Sequence, residues 1–122
     1  MTKILIVDDD LYIRDLYEEI FKDAGFEVVT AQDGKEGLEK LLQGGFNVTL
    51  LDVMMPKLDG LGVLDGLKKQ QPQNPNGPII LLTNLAHDPI MRDAKIKGAA
   101  GFLIKADLNP DQLIAKVKEY LR

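Results

Sequence analysis

Residues 48–56 read VTLLDVMMP. Four residues suited to a buried strand run straight into an acid, and two methionines and a proline follow. A carboxylate at the end of a buried strand is costly unless something offsets its charge. Asp52 therefore either opens a turn or does chemistry. On both readings residues 48–51 are a strand, and the segments on either side decide what surrounds it.

The same rhythm repeats in both directions. Residues 4–7 form a short β-rich run. Residues 11–24 carry Ile13, Leu16, Tyr17, Ile20 and Phe21 at helical spacing, with Gly25 placed to cap their end. Residues 26–31 read as a second strand. Asp33 followed by Glu36 has the spacing of a capping box and opens a second helix, with Leu38, Leu41 and Leu42 as its apolar stripe and Gly44 and Gly45 at its end. After the strand at 48–51, Leu61, Leu64 and Leu67 mark a third helix. Residues 72–78, PQNPNGP, form a loop by their Pro and Asn-Gly chemistry. A fourth strand spans 79–82. Asp88-Pro89 suits an N-cap with proline at the first helical position, and Gly98 closes that helix. A fifth strand spans 102–104. Asn109, Pro110 and Gln112 open a last helix with Leu113, Ile114, Val117 and Leu121 inward. Five β-then-α units with strands apolar on both faces predict an α/β fold, a parallel sheet covered by helices on both sides.

Composition removes several function classes. The 122 residues suit one domain, and 45% hydrophobic residues suffice for a core. The formal net charge of -4 argues against nonspecific nucleic-acid binding, which needs a basic field. Without cysteine there is no disulfide or thiolate metal site, and His87 alone makes no multi-histidine site. Only four apolar residues in a row precede three acids at the N-terminus, so it reads as neither signal peptide nor membrane span. The expectation is a soluble, cytoplasmic protein.

Ligands of open α/β sheets sit beyond the carboxyl ends of the strands. The first strand ends in Asp8, Asp9 and Asp10, the third in Asp52, the fourth in Thr83 and the fifth in Lys105. The second ends in Thr30, Ala31 and Gln32, without charge. The loop at 72–78 falls at the opposite edge and is given no functional weight. Each polar residue also has an ordinary role: Asp10 as an N-cap, Asp52 as a turn former, Thr83 as a strand-end hydroxyl, Lys105 as a solvated lysine. Their coincidence at one edge says more than any one of them. Asp8, Asp9 and Asp52 in proximity would raise one another's pKa, and a divalent cation with oxygen ligands would relieve the repulsion. Mg²⁺ keeps waters and shares phosphate oxygens. Lys105 and Thr83 would then face a phosphoryl group, and a carboxylate can itself be the nucleophile.

These segments resemble a known family. ILIVDDD, LLDVMMPKLDG, IILLTN and AAGFLIKAD, in that order, are similar to the receiver domain of two-component response regulators, over essentially the whole chain. The resemblance implies a flavodoxin-like (βα)5 three-layer sandwich with strand order 2-1-3-4-5. It implies a single receiver domain over residues 1–122 without an output domain, acting as a phosphorelay switch and not as a turnover enzyme. Asp52 matches the phosphoacceptor. Asp8 and Asp9 match the acidic pair that binds Mg²⁺, Asp9 directly and Asp8 through water. Met54 matches the residue whose backbone carbonyl also binds the metal. Thr83 matches the switch hydroxyl, Lys105 the family's lysine and Phe102 the aromatic switch position. The implied partners are a sensor histidine kinase or histidine phosphotransfer protein and an unidentified downstream protein. Nucleic acid and membrane are not expected partners of this chain, and a monomer or weak dimer is expected.

Two positions depart from the family pattern. Proline in a cis peptide usually follows the lysine, whereas this chain has Ala106. A cis bond before alanine costs about 2.5–4 kcal/mol, so a trans turn and a strained cis bond are both open. The positions two beyond Asp52 and Thr83 are Met54 and Leu85, which cannot orient an attacking water, so slow loss of the phosphoryl group is expected. Three alternatives remain on the sequence. A degenerate receiver would only bind partners. An aspartate-nucleophile phosphohydrolase would need a second acid at position 54. A flavin-mononucleotide module would need a hydroxyl-rich phosphate loop where DDD stands.

Overall fold

The computed structural model describes residues 1–55, 57–84 and 88–121, apart from the side chains of Asp88 and Ile90. Five strands alternate with five α-helices: β1 (Lys3–Val7), α1 (Leu11–Asp23), β2 (Glu27–Ala31), α2 (Gly34–Gln43), β3 (Val48–Asp52), α3 (Gly60–Lys69), β4 (Ile79–Thr83), α4 (Asp88–Ile96), β5 (Gly101–Ile104) and α5 (Pro110–Tyr120). The sheet is parallel in the order β2-β1-β3-β4-β5, the order the resemblance implies. Every position of β3 and β4 is buried, as expected of central strands covered on both faces.

Alternation along the strands divides the core into two layers. Leu5, Val7, Leu51 and Leu81 pack with Leu41, Val63 and Leu64 of α2 and α3. Ile4, Ile6, Leu50 and Ile80 pack with Tyr17 and Phe21 of α1 and Leu113 and Val117 of α5. Burying a leucine or phenylalanine fully contributes roughly 1.5–3 kcal/mol. Phe21 and Phe26 add an edge-to-face contact with centroids 5.1 Å apart. Among the described residues, no helix is long and apolar enough to cross a membrane.

The strands extend past their apolar runs because backbone pairing does not stop where hydrophobicity does. Lys3, Asp52, Thr83 and Gly101 all join the ladder. Phe26 precedes β2: its N–H returns to the Phe21 carbonyl at 2.9 Å and ends α1. Asp33 caps α2 through Glu36 N–H at 2.8 Å. Glu36 does not complete the expected box, since its carboxylate accepts from Gln32 N–H at 3.4 Å instead. Asn109 and Gln112 form the full reciprocal box on α5. Gly98 takes φ +107 after α4, a conformation that L side chains resist. The predicted Asp88 N-cap side chain, Pro56, Leu85 and His87 lie outside the described residues.

No cis peptide occurs among the described residues, so the Lys105–Ala106 bond is trans. Residues 105–107 instead make one 3-10 turn between β5 and α5.

Candidate functional site

Parallel strands deliver their C-terminal ends to one edge, and the register fixes which residues meet there. Val7 pairs with Leu51, Asp52 with Leu82 and Thr83 with Ile104. The residues at or just beyond these pairs line one pocket of about 360 Å³: Asp8, Asp9, Asp10, Asp52, Met54, Thr83, Asn84 and Lys105. A larger cavity of about 570 Å³ lies at the opposite edge, beside residues 71–78, and no charged side chain among the described residues lines it. Volume favours the second cavity, but only the first brings together groups that can do chemistry.

Asp8 and Asp52 are buried, and Asp9 is exposed at the mouth. One carboxylate oxygen from each of the three lies within 4.8 Å of the others. Lys105 Nζ donates to Asp8 Oδ2 at 2.7 Å and lies 3.4 Å from Asp52 Oδ2. The backbone N–H of Asp10 donates to Asp8 Oδ1 at 2.9 Å. Met54 N–H donates to Asp52 Oδ1 at 3.3 Å. The Asp52 oxygens thus face one ammonium and one amide. Gly60 lets the β3–α3 loop close over this strand end, because a Cβ there would come within 2.7 Å of the Asp52 carbonyl oxygen. Its N–H closes the loop on Val53 O at 2.9 Å.

These contacts do not fully offset the charge on Asp52. Burial is the largest influence and the neighbouring Asp8 adds to it; Lys105 and the Met54 N–H pull the other way. The net result pushes the Asp52 carboxyl up to about 6. Burial alone would lower the Lys105 ammonium, but its bond to Asp8 and the charges of Asp8 and Asp52 raise it instead. Lys105 therefore stays charged at neutral pH. Two further acids with all-oxygen donors beside a reluctant third suit a hard divalent cation such as Mg²⁺. Asp8, Asp9 and Asp52 offer carboxylates to it, and Met54 lines the same pocket.

Asp10 lines the pocket mouth while its side chain caps α1, accepting from Tyr12 N–H at 2.9 Å and Ile13 N–H at 3.3 Å. Thr83 is buried in the pocket wall. Met54 lines the pocket and is 64% exposed. Phe102 stands apart. It is half-buried against the α2–α3 side of the core and lines a shallow groove of about 200 Å³ with Met91, Arg92 and Lys95 of α4.

Two residues went unnoticed in the sequence. Asn84 follows Thr83 into the pocket, and its place beside a strand-end hydroxyl was signal enough. Arg14 of α1 donates from Nη1 to the Asp8 carbonyl at 2.9 Å. No sequence motif marks that contact, because it spans six residues across a strand-to-helix turn.

Known proteins share this arrangement of elements. A family model described as response regulator receiver domain matches residues 4–118. The chain is 40% identical over 120 residues to the probable transcriptional regulator ycf27 of Cyanophora paradoxa, covering 98% of this chain and 48% of that protein. It is 37% identical over 122 residues to the transcriptional regulatory protein CpxR homolog of Haemophilus influenzae, covering 100% of this chain and 51% of that one. The chain thus spans about half the length of these curated relatives. Among solved structures, the Vibrio cholerae chemotaxis protein CheY4 superposes with a TM-score of 0.86 at 34% identity, over 99% of each chain. TrrA of Thermotoga maritima, solved in complex with Mg(2+)-BeF, gives 0.82 at 35% identity, over 99% of this chain and 100% of its own.

Proposed function

Because the chain belongs to the response regulator receiver domain family of two-component systems, we propose that it is a signalling switch thrown by phosphorylation of Asp52. The observation that carries this reading is the meeting of Asp52, two further aspartates and Lys105 in one pocket. The donor is a phosphohistidine of a partner kinase or phosphotransfer protein. An Asp52 oxygen attacks phosphorus, the new O–P bond forms as the P–N bond breaks, and the electron pair leaves with the imidazole nitrogen. Lys105 swings its positive charge between the acids and the phosphoryl oxygens, and the Thr83 hydroxyl donates to one of them. Such catalysis is positioning and charge stabilisation more than covalent chemistry. Asp9, Asp52 and the Met54 carbonyl would hold Mg²⁺ directly, with Asp8 acting through water, and the ion would supply the remaining charge neutralisation.

The product adds roughly -1.5 to -2 charge where Asp52 stood, by analogy with other phosphoresidues. Thr83 shifts towards it and Phe102 moves inward, which alters the surface of α4, β5 and α5 that a downstream protein reads. One phosphoryl group is carried per chain and later lost to water, slowly, so this is not a turnover enzyme. Residues 1–122 act as one receiver in the cytoplasm, as a monomer or weak dimer, with no nucleic-acid site or membrane contact of their own. The test is incubation with acetyl phosphate and Mg²⁺ followed by intact mass. The wild type gains one phosphoryl group and Asp52→Asn gains none; a mass gain by Asp52→Asn would overturn the assignment.

A further inference from the structure

We propose that Arg14 is a positioning residue for the acid pocket: by holding the Asp8 carbonyl from α1, it sets the turn that presents Asp8 and Asp9 to a divalent cation. The proposal rests on the reading that this pocket takes Mg²⁺. Asp8 is tied at four points. Its N–H donates to Ala31 O at 3.2 Å, its two carboxylate oxygens accept from Asp10 N–H and Lys105, and its carbonyl accepts from Arg14 Nη1 at 2.9 Å. The first three hold the strand end and the side chain. Among the described residues, only the fourth holds the peptide that joins Asp8 to Asp9. That peptide is planar, so fixing its carbonyl also fixes the direction in which the chain leaves for Asp9.

The use made of this arginine is unusual for its surroundings. Asp8, Asp9, Asp10 and Asp15 are all close in sequence, yet the half-buried Arg14 has no carboxylate partner among the described residues. Its planar fork is spent on a backbone carbonyl at the end of β1. A charge that merely balanced the pocket would not need that geometry.

The two roles predict opposite signs. Removing a nearby positive charge should tighten a cation, whereas releasing the turn should weaken it. In Arg14→Met, Mg²⁺ affinity measured by titration calorimetry should fall roughly tenfold, the scale of losing a group that orients metal ligands. Arg14→Lys, whose ammonium can still donate to the carbonyl, should fall between the two. In metal-free protein, the Asp10 amide, bonded to Asp8, should exchange faster in Arg14→Met while the Leu82 amide of β4 is unchanged. Mg²⁺ bound as tightly or more tightly by Arg14→Met, or an unchanged Asp10 amide, overturns the proposal. If Arg14→Met does not fold, Arg14→Lys is read in both assays: weaker Mg²⁺ and faster Asp10 exchange support the role, and tighter binding or unchanged exchange overturns it. A wild type that takes no Mg²⁺ defeats the reading of the pocket, and the metal-free exchange still decides what Arg14 does.

Discussion

Asp52 is held where its charge is least welcome, and that has a consequence for stability. The unfolded carboxyl ionises near pH 4, whereas burial and Asp8 push the folded one up to about 6. The folded state therefore binds the proton more tightly. Stability contributed by this group is full below about pH 4, falls as the pH rises through about 6, and is flat above. Asp52→Asn removes that loss, so it should be more stable than the wild type at pH 7 by roughly 1–3 kcal/mol, with the gap closing by about pH 4. Urea unfolding of both proteins at pH 4 and pH 7 measures it. Adding Mg²⁺ at pH 7 should narrow the gap by stabilising the wild type more, since a ligand that binds only the folded state adds stability by mass action. Equal stability at both pH values would mean that Lys105 neutralises Asp52 fully. At this scale the sequence was informative about charge and blind to contact: Asp8, Asp9, Asp52 and Lys105 stand at predictable strand ends, whereas the bond from Arg14 to a backbone carbonyl leaves no trace in residue type.

Helix α4 belongs to the surface proposed to respond, and α3 fastens it. Near its C-terminal end, Lys68 of α3 donates to the Ile96 carbonyl at 2.6 Å, and Lys97 meets Asp65 of α3 at 2.6 Å. The bond to Lys97 holds the Asp65 carboxyl below its usual range, and the same bond raises Lys97. The contribution is therefore present between the two ionisations: lost as the pH falls through the lowered Asp65 value, and lost again above the raised Lys97 value. Asp65→Asn should speed amide exchange in the last turn of α4 at pH 7 and leave it unchanged in acid where Asp65 is already protonated. In the next helix, Asn109→Ala removes one half of the α5 capping box and should cost about 1 kcal/mol, read as a lower thermal midpoint. Helix caps were the most legible local feature, because Asn109-Pro110 and Gln112 act within one turn. Glu36 stands at capping-box spacing from Asp33, yet its carboxylate accepts from Gln32 N–H instead, outside the box.

Across the whole molecule, the fold was readable because five apolar strands and five amphipathic helices leave one economical arrangement, a parallel sheet covered on both sides. The strand order and the isomer of the Lys105–Ala106 bond were not readable from periodicity. The first came through resemblance and the second only through the structure, where a trans bond leads into a 3-10 turn. The site follows from the fold, since four strand ends meet at one edge and the fifth, β2, brings no charge. On the function proposed above, this edge exists to phosphorylate one carboxylate, Asp52. The direct test is to treat the protein with acetyl phosphate and Mg²⁺, reduce it with borohydride, and sequence the peptides by mass spectrometry. An aspartyl phosphate is reduced to homoserine, so homoserine should appear at position 52 and nowhere else. Homoserine at Asp8, Asp9 or another acid, or phosphate uptake with position 52 intact, would contradict the account.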